Sequence, residues 1–121
     1  MSTNDTYLAI FLGSKTSPRR QAFQALPDAE RQALMQKGIA AWKAWVEEHR
    51  AAIVEIGGPL GKTKKVGADG IADVSNLMSG YTLVRAASAE AAAKLFENHP
   101  HFAIFPGDCV EVMPVLPIPA G

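Results

Sequence analysis

Residues 97–115, ENHPHFAIFPGDCVEVMPV, crowd together His99, His101, Asp108, Cys109 and Glu111 just after Glu97. An imidazole titrates near neutral pH, so His101 or His99 suits a general acid or base. Asp108 stands nearby as a carboxylate to orient it. The two rings flank Pro100, and an extended chain at the proline sends them in similar directions. The same residues also read as structural boundaries: a helix end at ENHP, where the dipole favours a histidine, a turn-rich HFAIFPG and a strand DCVEVMPV. Cys109 as a nucleophile needs a base and a lowered pKa; the competing reading is a buried strand cysteine. Asp108 is the one evident third metal ligand, fewer than such sites usually show. Neither a metal centre nor a cofactor is expected.

These side chains need a frame. TYLAIFLG, residues 6–13, reads as a first strand with Tyr7, Ala9 and Phe11 on one face and Leu8, Ile10 and Leu12 on the other. Both faces are apolar, so this strand is central and covered on both sides. A polar connection carrying Lys15, Arg19 and Arg20 follows, with a helical turn after Pro18. Pro27, Asp28 and Glu30 then suit the start of a helix over about 28–50. Its stripe comprises Leu34, Gly38, Trp42, Trp45, Val46 and His49. Gly38 weakens it by about 1 kcal/mol relative to Ala, which points to a kink or a close contact. Trp42 and Trp45 either line an aromatic pocket or fill the core.

AIVEIGGP reads as a second strand, and the ADG at 68–70 signals a hairpin in the glycine-rich loop after it. LMSGYTLVRA is the third long strand. Ser79 and Tyr81 near its start are expected to look into the same cleft as the tryptophans. Ser88 caps a helix over AEAAAKLFEN, which Pro100 closes. DCVEVMPV is the last strand, where Glu111 is placed to pair with Arg85. GPLGKTKK lacks the spacing of a nucleotide-binding loop; Lys62, Lys64 and Lys65 read instead as a basic loop able to close over an anionic ligand.

The order β-α-β, β-α-β implies an α+β ferredoxin-like sandwich with an antiparallel sheet and both helices on one face. The other apolar face then needs a cover. A second copy packed sheet to sheet, giving a twofold homodimer, is the simplest one; a monomer with an apolar ligand groove is the alternative. The length of 121 residues suits one domain over 1–121. Twelve basic residues balance twelve acidic ones, which argues against nucleic acid as a partner. No apolar run reaches membrane-spanning length. The first residues lack a basic leader, and one cysteine forms no internal disulfide. A cytoplasmic protein is expected.

Within this frame, GYTLVRAASAEAAAKLFENHP and the closing VEVMPV resemble the YCII-related family, including its DGPF-type branch. The likeness runs in order along nearly the whole chain. It implies a dimeric α+β barrel of ferredoxin-like subunits with a pocket between sheet and helices. Members of that family have been proposed as enzymes on the strength of a His–Asp pair. Here the first long helix carries only His49, near its end, and IADVSNLMSG stands in the place of DGPF with Asp73 at the aspartate's place. The resemblance thus implies a small organic ligand. It leaves open a cofactor-free lyase or isomerase using His101 or His99 with Asp73 or Asp108, a non-catalytic binding module, and a cofactor-independent monooxygenase.

Overall fold

The computed structural model describes residues 5–119, and its first apolar run forms β1 (Asp5–Leu12). Tyr7, Ala9 and Phe11 are buried, while Leu8, Ile10 and Leu12 are half-buried. α1 (Pro18–Gln24) begins where Ser17 Oγ accepts the Arg20 N–H, and its proline occupies a first-turn position that has no use for a donor. α2 (Asp28–Glu48) follows with Pro27 as its N-cap and Asp28 and Glu30 at the positive end of its dipole. β2 (Ile53–Pro59), β3 (Thr63–Gly67), β4 (Gly70–Val74) and β5 (Met78–Ala86) come next. α3 (Ala89–Lys94), α4 (Pro100–Ala103) and β6 (Cys109–Pro114) complete the chain.

Four strands make one sheet in the order β2-β5-β1-β6, each neighbour antiparallel. With α2 and α3 as the two long-range crossovers, this is the ferredoxin-like α+β arrangement. Register aligns Tyr7 with Val84 and Ala9 with Thr82 on β5, and Ala9 with Val112 and Phe11 with Val110 on β6. That face meets the helices and holds the core: Phe11, Val84, Trp45, Ala92 and Phe96. The opposite face carries Leu8, Ile10, Leu12 and Leu83, none of them fully buried. Among the described residues no helix is long and apolar enough to cross a membrane.

The helix over 89–98 is shorter than its composition suggests. α3 ends at Lys94, Asn98 turns the chain at φ 58°, a conformation asparagine tolerates better than most residues, and Pro100 opens α4 instead of closing α3. β3 and β4 pair with each other, Gly67 opposite Gly70, as a ribbon separate from the main sheet. Glu111 and Arg85 form no ion pair among the described residues: β1 lies between them, with Glu111 opposite Ile10 and Arg85 opposite Thr6.

Gly38 faces a ring rather than a kink. A Cβ there would stand 2.4 Å from the Phe105 ring, so the absence of a side chain lets α2 sit directly on the segment after α4. Overpacking a site of this kind outweighs the gain in helix propensity. Gly38→Val is expected to lower stability by about 2 kcal/mol, read as a shift in denaturant midpoint with unchanged slope.

Candidate functional site

The cleft that this arrangement opens has a volume of about 1120 Å³, at the large end for ligand pockets. Arg20 of α1 and Met35 and Trp42 of α2 line one wall, and Lys62, Lys64 and Asp73 of the ribbon region the other. Ser79, His101 and Phe105 complete it. The site thus joins elements from most of the chain.

His101 is 8% exposed, and its Nε2 lies 2.8 Å from the Leu12 carbonyl oxygen. A carbonyl only accepts, so Nε2 carries the proton and Nδ1 holds the lone pair. Nδ1 has no hydrogen-bond partner among the described residues, yet it is not among the buried unpartnered atoms. It therefore keeps some exposure, and His101 is among the residues that line the cleft. Gly107 makes room for the ring: a Cβ there would come within 2.3 Å of Cε1 and Nε2. Burial holds the imidazole below its ordinary pKa; the Leu12 carbonyl and the Asp108 charge oppose this, and the Arg20 and Arg19 charges add to it. The result is a neutral imidazole with one fixed tautomer and an accessible basic nitrogen, suited to take a proton.

His99 has a different fate. It is fully buried, with ring centroids 4.4 Å from Trp42, 4.7 Å from Trp45 and 5.1 Å from Phe11. Its Nδ1 accepts the His101 backbone N–H at 3.0 Å, making His99 the N-cap of α4. The sequence places it at a helix C-terminus; it stands at an N-terminus, as a hydrogen-bond acceptor in its neutral form. Nε2 then carries the proton and finds no conventional partner among the described residues, in a ring packed among Phe11, Trp42, Trp45 and Phe96. Burial lowers its pKa to about 3, with the His101 and His49 charges contributing in the same direction. Sealed in the core and absent from the cleft lining, His99 is no base for a ligand there.

The other candidates divide in the same way. Asp73 lines the cleft but pairs with Lys64 across the ribbon. Asp108 is exposed, outside the lining, and accepts the Ser14 N–H at 2.8 Å. Neither hydrogen-bonds His101, whose orienting partner is the Leu12 carbonyl. Trp42 lines the cleft, whereas Trp45 lies in the core and donates Nε1–H to the Leu95 oxygen at 2.8 Å. Ser79 lines the cleft while donating to the Phe11 oxygen. Tyr81 is opposite Ile10 on the face away from the helices, and its hydroxyl donates to Glu55; strand parity separates it from the tryptophans. That bond and the Glu55 charge raise its pKa. Cys109 is half-buried, its thiol pushed up mainly by burial, the reverse of an activated nucleophile. Among the described residues no group of three or more His, Cys, Asp or Glu is placed to hold a metal.

Sequence reasoning overlooked Arg20, Arg31, Met35 and Phe105 as lining residues. The arginines stood in plain view as isolated charges, but nothing local says which of them the fold turns toward the ribbon.

Sheet order and crossovers define the class, a ferredoxin-like α+β fold. The same arrangement occurs in 5-chloro-2-hydroxyhydroquinone dehydrochlorinase from Burkholderia phenoliruptrix AC1100, solved in complex with 2,5-dihydroxybenzoquinone. The two share 17% sequence identity and a TM-score of 0.51 over 89% of this chain and 90% of that one. That likeness is one of fold. No protein-family model matches the chain, and no curated protein does.

The His99 environment has a pH signature. Its native pKa is depressed to about 3 from 6.5, so the unfolded state binds the proton first. Stability is then full above pH 6.5 and falls as pH drops toward 3. Between pH 7 and 5 this amounts to about 1–2 kcal/mol from His99. Denaturation of His99→Phe at both pH values is expected to show a smaller loss than the wild type, and an equal loss would refute this account of the acid limb.

Proposed function

We propose that the chain is a YCII-related protein that acts as a homodimer and uses its cleft for cofactor-free proton transfer on a small organic molecule, with His101 as the general base. The observation that carries this reading is His101 itself, a residue of the cleft lining with Nε2 fixed on the Leu12 carbonyl and Nδ1 unpartnered among the described residues and not fully buried. The resemblance in GYTLVRAASAEAAAKLFENHP and VEVMPV supports the family, as does the fold shared with a dehydrochlorinase.

In this reading a substrate C–H or O–H proton moves to His101 Nδ1, forming an imidazolium. The electron pair stays on the substrate as an enolate or phenolate, or expels a leaving group from the neighbouring carbon. The imidazolium then returns its proton to the product or to solvent. The nearby Asp108 charge favours the imidazolium, and the Leu12 carbonyl keeps the Nε2–H in place throughout. A non-catalytic binding module is the second reading, favoured by the lack of any carboxylate hydrogen-bonded to His101 among the described residues.

The homodimer uses the face carrying Leu8, Ile10, Leu12 and Leu83. Apolar surface of this kind packs against its own copy in a face-to-face sheet sandwich. Asp73 and Ser79 remain ligand contacts in the cleft, alongside Trp42.

Hydrogen–deuterium exchange at acidic C–H positions, followed by proton NMR over a panel of cyclic enols, enediones and lactones, tests the base. His101→Gln is expected to lower any catalysed exchange by about 10²- to 10⁴-fold. Full exchange in that variant would remove His101 from the role, and ligand binding without exchange would favour the binding module. Light scattering tests the assembly: twice the chain mass is expected for the wild type, the chain mass alone for Ile10→Asp, and a monomeric wild type would overturn the dimer.

A further inference from the structure

Building on the reading of the cleft as a small-molecule site, we infer that its ligand is a flat organic anion whose delocalised oxyanion, a carboxylate, enolate or phenolate, is held by Arg20 and Lys62 beside His101. The chain as a whole is neutral, with twelve basic and twelve acidic residues. Its cleft is not: Lys15, Arg20, Arg31, Lys62 and Lys64 line it against the single carboxylate of Asp73. Two of these cations are already matched, Lys64 by Asp73 and Arg31 by Asp28. Lys15, Arg20 and Lys62 have no ion-pair partner among the described residues.

The three unmatched cations come from separate places: the loop after β1, α1, and the loop before β3. Their convergence is therefore not the by-product of one basic helix face. It gathers like charges in a concavity, an arrangement that costs stability unless an anion relieves it, and apolar walls focus the resulting field. Part of the lining is aromatic: Trp42 and Phe105, with ring centroids 6.2 Å apart and planes tilted by 58°, offer ring surface for a planar ligand to pack against.

Arg20 lines the same cleft as His101, and its charge acts on that imidazole. An oxyanion on the guanidinium then shares the cleft with the group that would take or return a proton. Its side chain makes no hydrogen bond to the described protein, only its backbone N–H being engaged, by Ser17. The guanidinium fork is thus free for a carboxylate-like group, which it matches in shape. Lys62 approaches from the ribbon side of the same cleft.

Titration of the Trp42 indole N–H by NMR separates the possibilities. The probes are salicylate and 2,5-dihydroxybenzoquinone, with their neutral counterparts salicylamide and 2,5-dimethoxybenzoquinone, and inorganic phosphate. The anions are expected to bind about tenfold more tightly than the neutral pair. Arg20→Gln and Lys62→Gln should each weaken the anions by about three- to tenfold and leave the neutral ligands unchanged. Rising salt should do the same. Equal affinity for neutral and charged ligands would overturn anion selection while leaving the small-molecule cleft in place. So would unaltered anion binding in Arg20→Gln, or displacement of salicylate by phosphate at equal concentration. If no probe moves Trp42, the small-molecule reading falls and this inference with it. Melting temperatures of both variants, expected to match the wild type, show that the fold is intact.

Discussion

The Leu12 carbonyl accepts two hydrogen bonds, from His101 Nε2 at 2.8 Å and from the Asp108 backbone N–H at 2.9 Å. Much of the site depends on this one oxygen. It sits at the end of β1, where pairing with β5 slips between Phe11 and Leu12, and such irregularities re-aim groups at the rim of a sheet. Through it the central strand holds both ends of the segment linking α4 to β6. Other hydrogen bonds complete the clasp: the Gly107 N–H reaches the His101 oxygen, and the Arg19 guanidinium donates to the carbonyls of Phe102, Phe105 and Gly107. A stretch with only one short turn of helix thereby acquires a definite shape. The tautomer of His101 follows from that shape rather than from a neighbouring carboxylate.

Two residues of the same type, separated by one proline, end in different chemical states. His99 spends its acceptor on capping α4 and turns its remaining N–H among aromatic rings. His101 leaves its acceptor without a partner among the described residues, on a ring that lines the cleft. The division arises because α2 lays Trp42 and Trp45 over the first ring, while Gly107 and the end of β1 frame the second. Low dielectric keeps both neutral, but only one retains access to what enters from outside.

Local pattern carried the frame well. Apolar residues on both faces of TYLAIFLG marked a central strand, Ser88 marked a helix start, and ADG marked a hairpin; each signal is complete within a few residues. Pro100 was ambiguous in the same local terms, since a proline both ends one helix and opens another, and Asn98 decides between them by turning left-handed. Tyr81 shows a second limit. Whether it faces Trp42 depends on which parity of β5 meets the helices, and that is settled by pairing with β1. Arg20, Lys62 and Phe105 lie far apart in the chain, so their meeting at one cleft belongs to topology alone. Gly38 is intermediate: a close contact was legible, its partner Phe105 was not.

The ribbon of β3 and β4 leaves the body between Leu60, whose N–H bonds Ser79, and Leu77, whose carbonyl bonds Gly13. Its internal pairing is self-sufficient, and Val66 and Ile71 near its tip lie 75% and 73% exposed. The two anchor points lie at the start of β5, one toward β2 and one toward β1, so the residues between them can vary in number and kind without disturbing the sheet. One wall of the cleft is in this sense an exchangeable cassette. Descendants of one scaffold can acquire new ligand preferences by replacing it, while the imidazole and the strand end that holds it stay as they are.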